Sequence, residues 1–418
     1  MNLTSPLVSA PGVRGCVYLL KDLEVKLTGD GVNMIEDIAD LTLCSQEEYA
    51  RFGTSFAVLD VNKDGVSDLL VGHPYSGAER LQYQGGVSVY LGQISGGNFS
   101  LSSSPHFTIS CSDQPCSLGQ VMTQSDHSVM VGAPTAGAGG RLRGAVLEVM
   151  AGEWEEGREY LVPGDLDWLV TGSQDFQQFG SSLSADQGLV AVGSPSYRVA
   201  ANGDSSFSAA DLEMAGRVSV FSVSGSSVTL LHQETGESQS SSLGSSSVFT
   251  EMKVGGERRR YLAIGQPSSD STSDQDHVQT GSVLLLDLVT SRVNVSLSGD
   301  LEVGRFGMRL TRGWEDGLIV SAPYAGLGVR NHGKVYYYSG VEDLPSGDIT
   351  SQCQSSHSPC TEEWASLVLT TEEEESLFGC QVSWDRSGQD TVLAVAAERS
   401  SLGSRMGGAV YLYHIKPE

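Results

Sequence analysis

The sequence predicts an all-β chain, a seven-bladed β-propeller whose first blade is incomplete. Three signatures, each recurring about every 64 residues, carry this expectation. The first is an apolar-Gly start: Arg51-Phe52-Gly53, Ser117-Leu118-Gly119, Gln178-Phe179-Gly180, Ser242-Leu243-Gly244, Arg305-Phe306-Gly307 and Leu377-Phe378-Gly379. An apolar run ending in a small-residue turn with proline follows, as in Val71-Gly72-His73-Pro74, Val131–Pro134, Val192–Pro195, Ile264–Pro267 and Val320–Pro323, decaying in the last repeat to Val395–Glu398. The third is a glycine followed by alternating apolar residues, at Gly86–Tyr90, Gly144–Leu147, Gly216–Phe221, Gly281–Leu286, Gly333–Tyr338 and Gly408–Tyr413.

Each signature reads as one strand, because apolar residues at every second position line one face of a pleated strand. A less regular fourth strand precedes the next start, as at Phe107–Ile109, Trp168–Val170, Val293–Val295 and Leu367–Leu369. Units of four strands cannot bury both faces alone, so neighbours must stack, and a propeller satisfies this with twisted sheets packed face to face. A sandwich would need about seven strands per repeat, for which about 64 residues is short. The glycines are expected to let inner strands approach the propeller axis, and the prolines to end strands where no ladder donor is wanted.

Taken in order, residues 1–50 form a partial first blade plus a linker. Leu7–Pro11 matches the turn signature, Gly15–Leu20 the third strand and Leu41–Leu43 the fourth, with no apolar-Gly strand before them. The stretch from Asp22 to Asp40 fits no repeat slot, although Met34–Ala39 has the pattern of a short helix. Residues 51–418 hold six repeats, starting near 51, 117, 178, 242, 305 and 377, all within one propeller domain. The last stops just after its third strand. A ring closes by completing one blade from both termini, and both missing strands are expected upstream of Met1.

Asp and Glu together number 51 against 25 Lys and Arg, a net charge of −26, which repels nucleic acid and anionic membrane surfaces. No apolar run approaches the roughly 18 residues of a membrane-spanning helix, and the first twenty residues lack the basic start and unbroken apolar core of a signal peptide. Seven cysteines and three acceptor tripeptides, at Asn2, Asn98 and Asn294, point to an extracellular, secreted glycoprotein. Cys111 with Cys116, and Cys353 with Cys360, are close enough in sequence for small disulfide loops. Cys16, Cys44 and Cys380 are left over, an odd count that suggests a partner thiol outside this chain.

Site chemistry concentrates between the first two strands of the first complete repeat. Asp60, Asn62, Asp64 and Asp68 put oxygen side chains at positions 1, 3, 5 and 9 of a loop with Gly65 at position 6, and the carbonyl of Val66 can join the shell. Alternate residues of a tight loop point inward and a glycine permits the reversal, which suits calcium, a hard cation wanting many oxygens, better than magnesium. Its role would be to staple a β-turn. Equivalent loops at Ser125–Ser128, Ala185–Gly188 and Trp314–Gly317 read as plain hairpin turns, and Asp385–Asp390 as a remnant, so a single metal site is expected.

No catalytic constellation stands out. The eight histidines are isolated, with no paired zinc spacing, and there is no nucleophile elbow or phosphate-cradling loop. Glu372–Glu375 reads as a solvated loop and Arg258–Arg260 as a hairpin cap.

The Phe52-Gly53 start, the Gly132-Ala133-Pro134 turn and the Asp60–Asp68 loop together resemble the FG-GAP repeats of integrin α subunits, which form a seven-bladed propeller. The run from Phe52 through Leu59–Gly65 to Leu69–Gly72, followed by Leu81–Gly85, is similar to the C-terminal half of the glycosylphosphatidylinositol (GPI)-specific phospholipase D family. That resemblance covers nearly all of the chain. It implies a secreted hydrolase that cleaves the inositol-phosphate linkage of GPI anchors, releasing anchored proteins and leaving phosphatidic acid. It also implies a zinc-bearing catalytic domain upstream, which no residue here matches, so this chain would be a non-catalytic fragment. Its expected partners are that upstream domain and GPI-anchored proteins or GPI lipid, with no catalytic residue of its own. The alternative is an extracellular adhesion propeller of the integrin α type, which usually carries several adjacent calcium loops in later blades, whereas this chain has one loop in its first complete repeat.

Overall fold

The structure, a computed structural model, describes residues 7–10, 15–20, 32–77, 83–95, 98–112, 115–125, 127–201, 211–225, 227–270, 279–299, 301–326, 331–340, 343–348, 360–387, 390–402 and 407–415. The fold is the all-β seven-bladed propeller that the repeats predict, and among the described residues the first sheet has three strands. By internal packing the chain divides into two units, Met1–Val192 with Val220–Leu231, and Gly193–Ser219 with His232–Glu418.

Sheet one holds β1 (Leu7–Ala10), β2 (Cys16–Leu19) and β3 (Leu41–Cys44), with a short helix α1 (Ile35–Ile38) before β3. In sheet two, β4 (Phe56–Leu59), β5 (Asp68–Gly72) and β6 (Gly86–Tyr90) are followed by a separate hairpin of β7 (Gly92–Ser95) and β8 (Asn98–Leu101), then by β9 (Phe107–Cys111). Sheet three comprises β10 (Val121–Gln124), β11 (Ser128–Ala133) and β12 (Ala145–Met150). Its fourth strand, β14 (Val170–Thr171), follows an insertion that includes β13 (Glu159–Val162). Sheet four is β15 (Ser182–Asp186), β16 (Leu189–Ser194), β17 (Arg217–Ser224) and β18 (Ser227–Thr235).

Sheet five is built from β19 (Ser246–Val254), β20 (Glu257–Gln266), β21 (Ser282–Asp287) and β22 (Arg292–Ser298). Sheet six has β23 (Arg309–Arg312), β24 (Leu318–Ala322) and β25 (Lys334–Tyr338), then an insertion with β26 (Asp343–Leu344), β27 (Gly347–Asp348) and helix α2 (Cys360–Glu363), and finally β28 (Leu367–Thr370). Sheet seven has three strands, β29 (Phe378–Ser387), β30 (Asp390–Ala397) and β31 (Ala409–Ile415).

Alternation along the second strand of each sheet explains the cores. In the first unit, Leu69 and Val71 turn towards sheet one, where they pack with Val17 and Leu43, while Leu70 between them packs with Val129, Val131 and Leu147 of sheet three. Met130 of β11 faces the other way, with Leu183, Val190 and Val192. In the second unit Tyr261 and Ala263 share a core with Leu318 and Val320, whereas Ile319 packs with Phe378, Leu393 and Val395. One strand thus feeds two cores, which is why its residues read as a continuous apolar run.

The glycines serve the joints between successive sheets, which explains the spacing of the signatures. Gly144, at φ +82°, lies so close to the next blade's start that a Cβ would stand 2.1 Å from the carbonyl oxygen of Phe179. The two residues form a parallel bridge, and the Phe179 amide donates to the Arg143 carbonyl at 3.0 Å. The same junction joins Gly15 to Phe52, Gly85 to Leu118, Gly216 to Leu243, Gly281 to Phe306 and Gly333 to Phe378. A second approach completes it, since a Cβ on Gly132 of the proline turn would meet the carbonyl oxygen of Gly180 at 2.2 Å. All three signatures therefore meet at one place, where the backbone of one sheet is latched to the next.

Two outer edges are covered in a way the repeat does not show. β13 pairs in parallel with β9, and β27 with β22, each supplied by the insertion in the following blade. Trp154 of the first insertion stacks on Phe107 at 4.4 Å between ring centroids. Covering an outer strand this way satisfies its outward backbone groups and leaves only a short strand, four residues in β13 and two in β27, at the sheet's edge.

Cysteine pairing is corrected in one respect. Cys111 and Cys116 are bonded as expected, but Cys16 and Cys44 also form a disulfide, because β2 and β3 pair antiparallel with these residues in register. Their 28-residue separation hid a contact that strand pairing creates. Cys380 is free, and the Cys353–Cys360 expectation lies outside the described residues, as do Asn2 and the side chain of Asn98. Asn294 is poorly placed as a glycan acceptor, since its side-chain amide donates to Asp287 at 3.1 Å. Most of 22–40 lies outside as well, with α1 falling inside the helix expected there. Arg258 and Arg259 do lie beside the β19–β20 hairpin turn, where they form ion pairs with Asp316 and Asp287.

Candidate metal centre

The loop between β4 and β5 is short because the two strands pair directly, from Leu59 opposite Asp68 back to Phe56 opposite Val71. Residues 60–67 must therefore reverse the chain, and they do so with Lys63 at φ 61° and Gly65 at φ +84°. Nothing lies within 4 Å of a Cβ placed on Gly65, so the glycine is needed for its backbone angle and not for space.

The acidic side chains are turned onto this reversal. Asp60 accepts the amide of Asp64 at 3.0 Å on one oxygen and that of Gly65 at 2.8 Å on the other. The Asn62 carbonyl oxygen also accepts the Asp64 amide at 3.1 Å, and its side-chain nitrogen donates to Asp64 at 2.9 Å. Asp64 in turn takes the Val66 amide at 2.8 Å. Asp60, Asn62 and Asp64 are thus gathered around one short stretch of backbone, as alternate positions of the loop predict.

Asp68 stands apart from them. It is fully buried at the start of β5, where one oxygen accepts the Val61 amide at 2.8 Å and the other the Gly92 amide at 2.8 Å. Burial pushes its carboxyl up to about 6 against the lowering effect of those two amides, and the nearby charges of Asp64 and Asp60 push it the same way. Among the described residues no three His, Cys, Asp or Glu side chains stand close enough together to hold a metal by themselves. The donor chemistry nevertheless fits a hard cation: three carboxylates and an amide oxygen fall within nine residues, each carboxylate oxygen retaining a lone pair beyond the hydrogen bond it accepts.

One residue of this centre is absent from the sequence reading. Gly92 donates to Asp68, and a Cβ there would stand 2.2 Å from the Ser67 carbonyl oxygen, so the position admits only glycine. Asp68 thereby ties the loop to the β7–β8 hairpin. The available signal was Gly92, two residues past the end of the third strand of this repeat. Replacing Asp68 with alanine leaves the buried amides of Val61 and Gly92 unpaired, and we expect a loss of about 2–4 kcal/mol in chemical unfolding. A loss below about 0.5 kcal/mol would show that these bonds do not brace the loop.

Comparison with known proteins adds the relationship. The FG-GAP repeat family model matches residues 52–90, the segment that holds this loop. Phosphatidylinositol-glycan-specific phospholipase D of Rattus norvegicus is 33% identical over 97% of the chain. Those of Bos taurus and Homo sapiens are 34% and 33% identical, each over 98% of the chain. This chain is their homologue. It spans about half the length of these curated relatives, 52% of each. No helix among the described residues is long and apolar enough to cross a membrane.

Proposed function

We propose that this chain is the non-catalytic propeller portion of a secreted GPI-specific phospholipase D, supporting an upstream zinc-bearing catalytic domain that acts on GPI-anchored proteins. The observation that carries this reading is the 33–34% identity to such phospholipases, maintained over 97–98% of the chain. An integrin-type adhesion propeller would share the repeat without a match of that extent to a phospholipase. The test is release of a GPI-anchored reporter from membranes. The 418-residue chain alone is expected to release none, while a full-length relative releases it. Release by the chain alone would overturn its non-catalytic assignment.

The reading includes one calcium ion in the β4–β5 loop, held by Asp60, Asn62 and Asp64 with the Val66 carbonyl and Asp68 completing the shell. The ion would offset the repulsion among the loop's carboxylates and fix the turn between two paired strands. Its dissociation constant is expected on the order of 0.1–1 mM. At about 10 mM calcium this corresponds to roughly 1.4–2.7 kcal/mol of stabilisation, visible as a rise in Tm. Asp60→Ala should abolish the rise. A titration stoichiometry of three or four ions would favour the adhesion reading instead, and no calcium-dependent shift in the unaltered chain would sink the site.

A further inference from the structure

Between β11 and β12 the chain reads Gly137-Ala138-Gly139-Gly140-Arg141-Leu142-Arg143. Residues 137–140 form a tight reversal, in which the Gly140 amide donates to the Gly137 carbonyl at 2.8 Å, with Ala138 at φ 46° and Gly139 at φ +84°. Two successive left-handed residues closed by such a bond make a type I′ turn. Beside it, within the first unit, lies a cleft of about 560 Å³ lined by the turn, Arg141, Arg143 and Asp175. That is the size of a small-molecule site.

One carboxylate fixes both arginines. Asp175 accepts Arg143 Nε at 2.7 Å and the Arg141 backbone amide at 3.3 Å on the same oxygen. The Arg143 bond, and after it the Arg141 amide, hold its carboxyl below its ordinary value, so it stays ionised. Glycine at 140 makes room for this pair, since a Cβ there would stand 2.0 Å from Arg143 Nε and 2.3 Å from the Asp175 oxygen. A Cβ on Gly139 would meet nothing within 4 Å, so that side of the turn is clear. The backbone beneath is anchored as well, because the Phe176 amide donates to the Arg141 carbonyl at 2.7 Å and the Phe179 amide to the Arg143 carbonyl at 3.0 Å.

What these bonds leave over is cationic. Among the described residues no acceptor meets the Arg141 guanidinium or the terminal nitrogens of Arg143, and the second Asp175 oxygen takes no donor. Arg158 of the same unit shows the contrast, with its terminal nitrogens taken by Glu155 and Asp165. The cleft therefore sets two guanidinium groups against one carboxylate, in a chain whose net charge is −26. Planar guanidinium forks match the paired oxygens of a phosphate, while a spare carboxylate oxygen repels a second anionic group and accepts a hydroxyl. We propose that this cleft binds the phosphate monoester of a small polyol, with Arg141 and the free end of Arg143 holding the phosphate and Asp175 taking a hydroxyl of the carrier. It is a turn between strands that presents arginines, unlike the lysine-bearing loop before a helix that the sequence lacks. The inference is independent of calcium and of catalysis.

Calorimetric titration of the 418-residue chain with glycerol 1-phosphate, glycerol and inorganic phosphate, at matched ionic strength, tests it. Glycerol 1-phosphate should bind one to one with a dissociation constant on the order of 1 mM, and glycerol should give no binding. Inorganic phosphate should bind about threefold more weakly or worse, for want of the carrier hydroxyl. Arg141→Gln should weaken glycerol 1-phosphate by at least about tenfold through the loss of charged hydrogen bonds. Its Tm should not move, because that side chain is exposed, whereas Arg158→Gln should leave binding as it was. Absence of saturable binding up to about 10 mM overturns the proposal, as does undiminished affinity in Arg141→Gln. Equal affinity for inorganic phosphate and glycerol 1-phosphate would overturn the polyol assignment.

Discussion

Gly281→Ala is expected to destabilise the second unit by about 3–5 kcal/mol, the sum of a backbone clash and a left-handed angle on a residue that resists it. Gly281 sits at φ +81°, and an added Cβ would stand 2.3 Å from the carbonyl oxygen and 2.5 Å from the nitrogen of Phe306. Neither neighbour can rotate away, because both are main-chain atoms of a bridge whose amide donates to the Thr280 carbonyl at 2.9 Å. Relief requires sheets five and six to separate, which loosens the core of Tyr261, Val283, Leu285, Val320 and Tyr336. Gly256→Ala supplies the control, since Gly256 has φ +86° but nothing within 4 Å of a Cβ. It should lose only the angular part, about 1–2 kcal/mol. Denaturant unfolding reads both variants, and equal losses would show that the sheet junction adds nothing.

Asp287→Ala should cost about 2–4 kcal/mol, because it removes a buried carboxylate shared by an arginine, an amide side chain and two backbone donors. Asp287 is fully buried at the end of β21. It accepts from Arg259 at 2.7 Å, Asn294 at 3.1 Å and the amides of Val289 and Thr290 at 2.7 and 3.1 Å. These bonds hold the turn from β21 to β22. Burial alone would raise the carboxyl, but the Arg259 bond and the two amides outweigh it and hold it below its ordinary value of 3.8. A depressed carboxyl contributes stability that is complete above the unfolded value and is lost as pH falls through the folded one. Acid should therefore weaken the unaltered chain below about pH 4, and Asp287→Asn should flatten that part of its pH profile. An unchanged profile would place the acid sensitivity elsewhere.

How much was legible follows from the kind of contact involved. Strand existence was written in the alternation of residues such as Leu69, Leu70 and Val71, whose successive side chains must find apolar partners on opposite faces. The β4–β5 loop was legible because its side chains act on backbone within a few residues of themselves. Gly92 escaped notice because its partner Asp68 is 24 residues away, and one glycine after a strand carries no local signal of that contact. The Cys16–Cys44 bond escaped for the same reason, although β2 and β3 were both anticipated. Strand register, and not cysteine spacing, brings the two sulfurs together.

By itself the sequence determined the order of the repeating strands, the acidic loop, and the relationship to phospholipases, since each is carried by local pattern or by repetition of it. Tertiary structure decided what the repeated glycines touch, placing Gly144 and Gly281 against the next sheet's backbone. It also decided which edges are covered. Parallel pairing of β13 with β9 joins residues about fifty apart through hydrogen bonds of the main chain, which every residue but proline can make and which therefore leave no mark on composition.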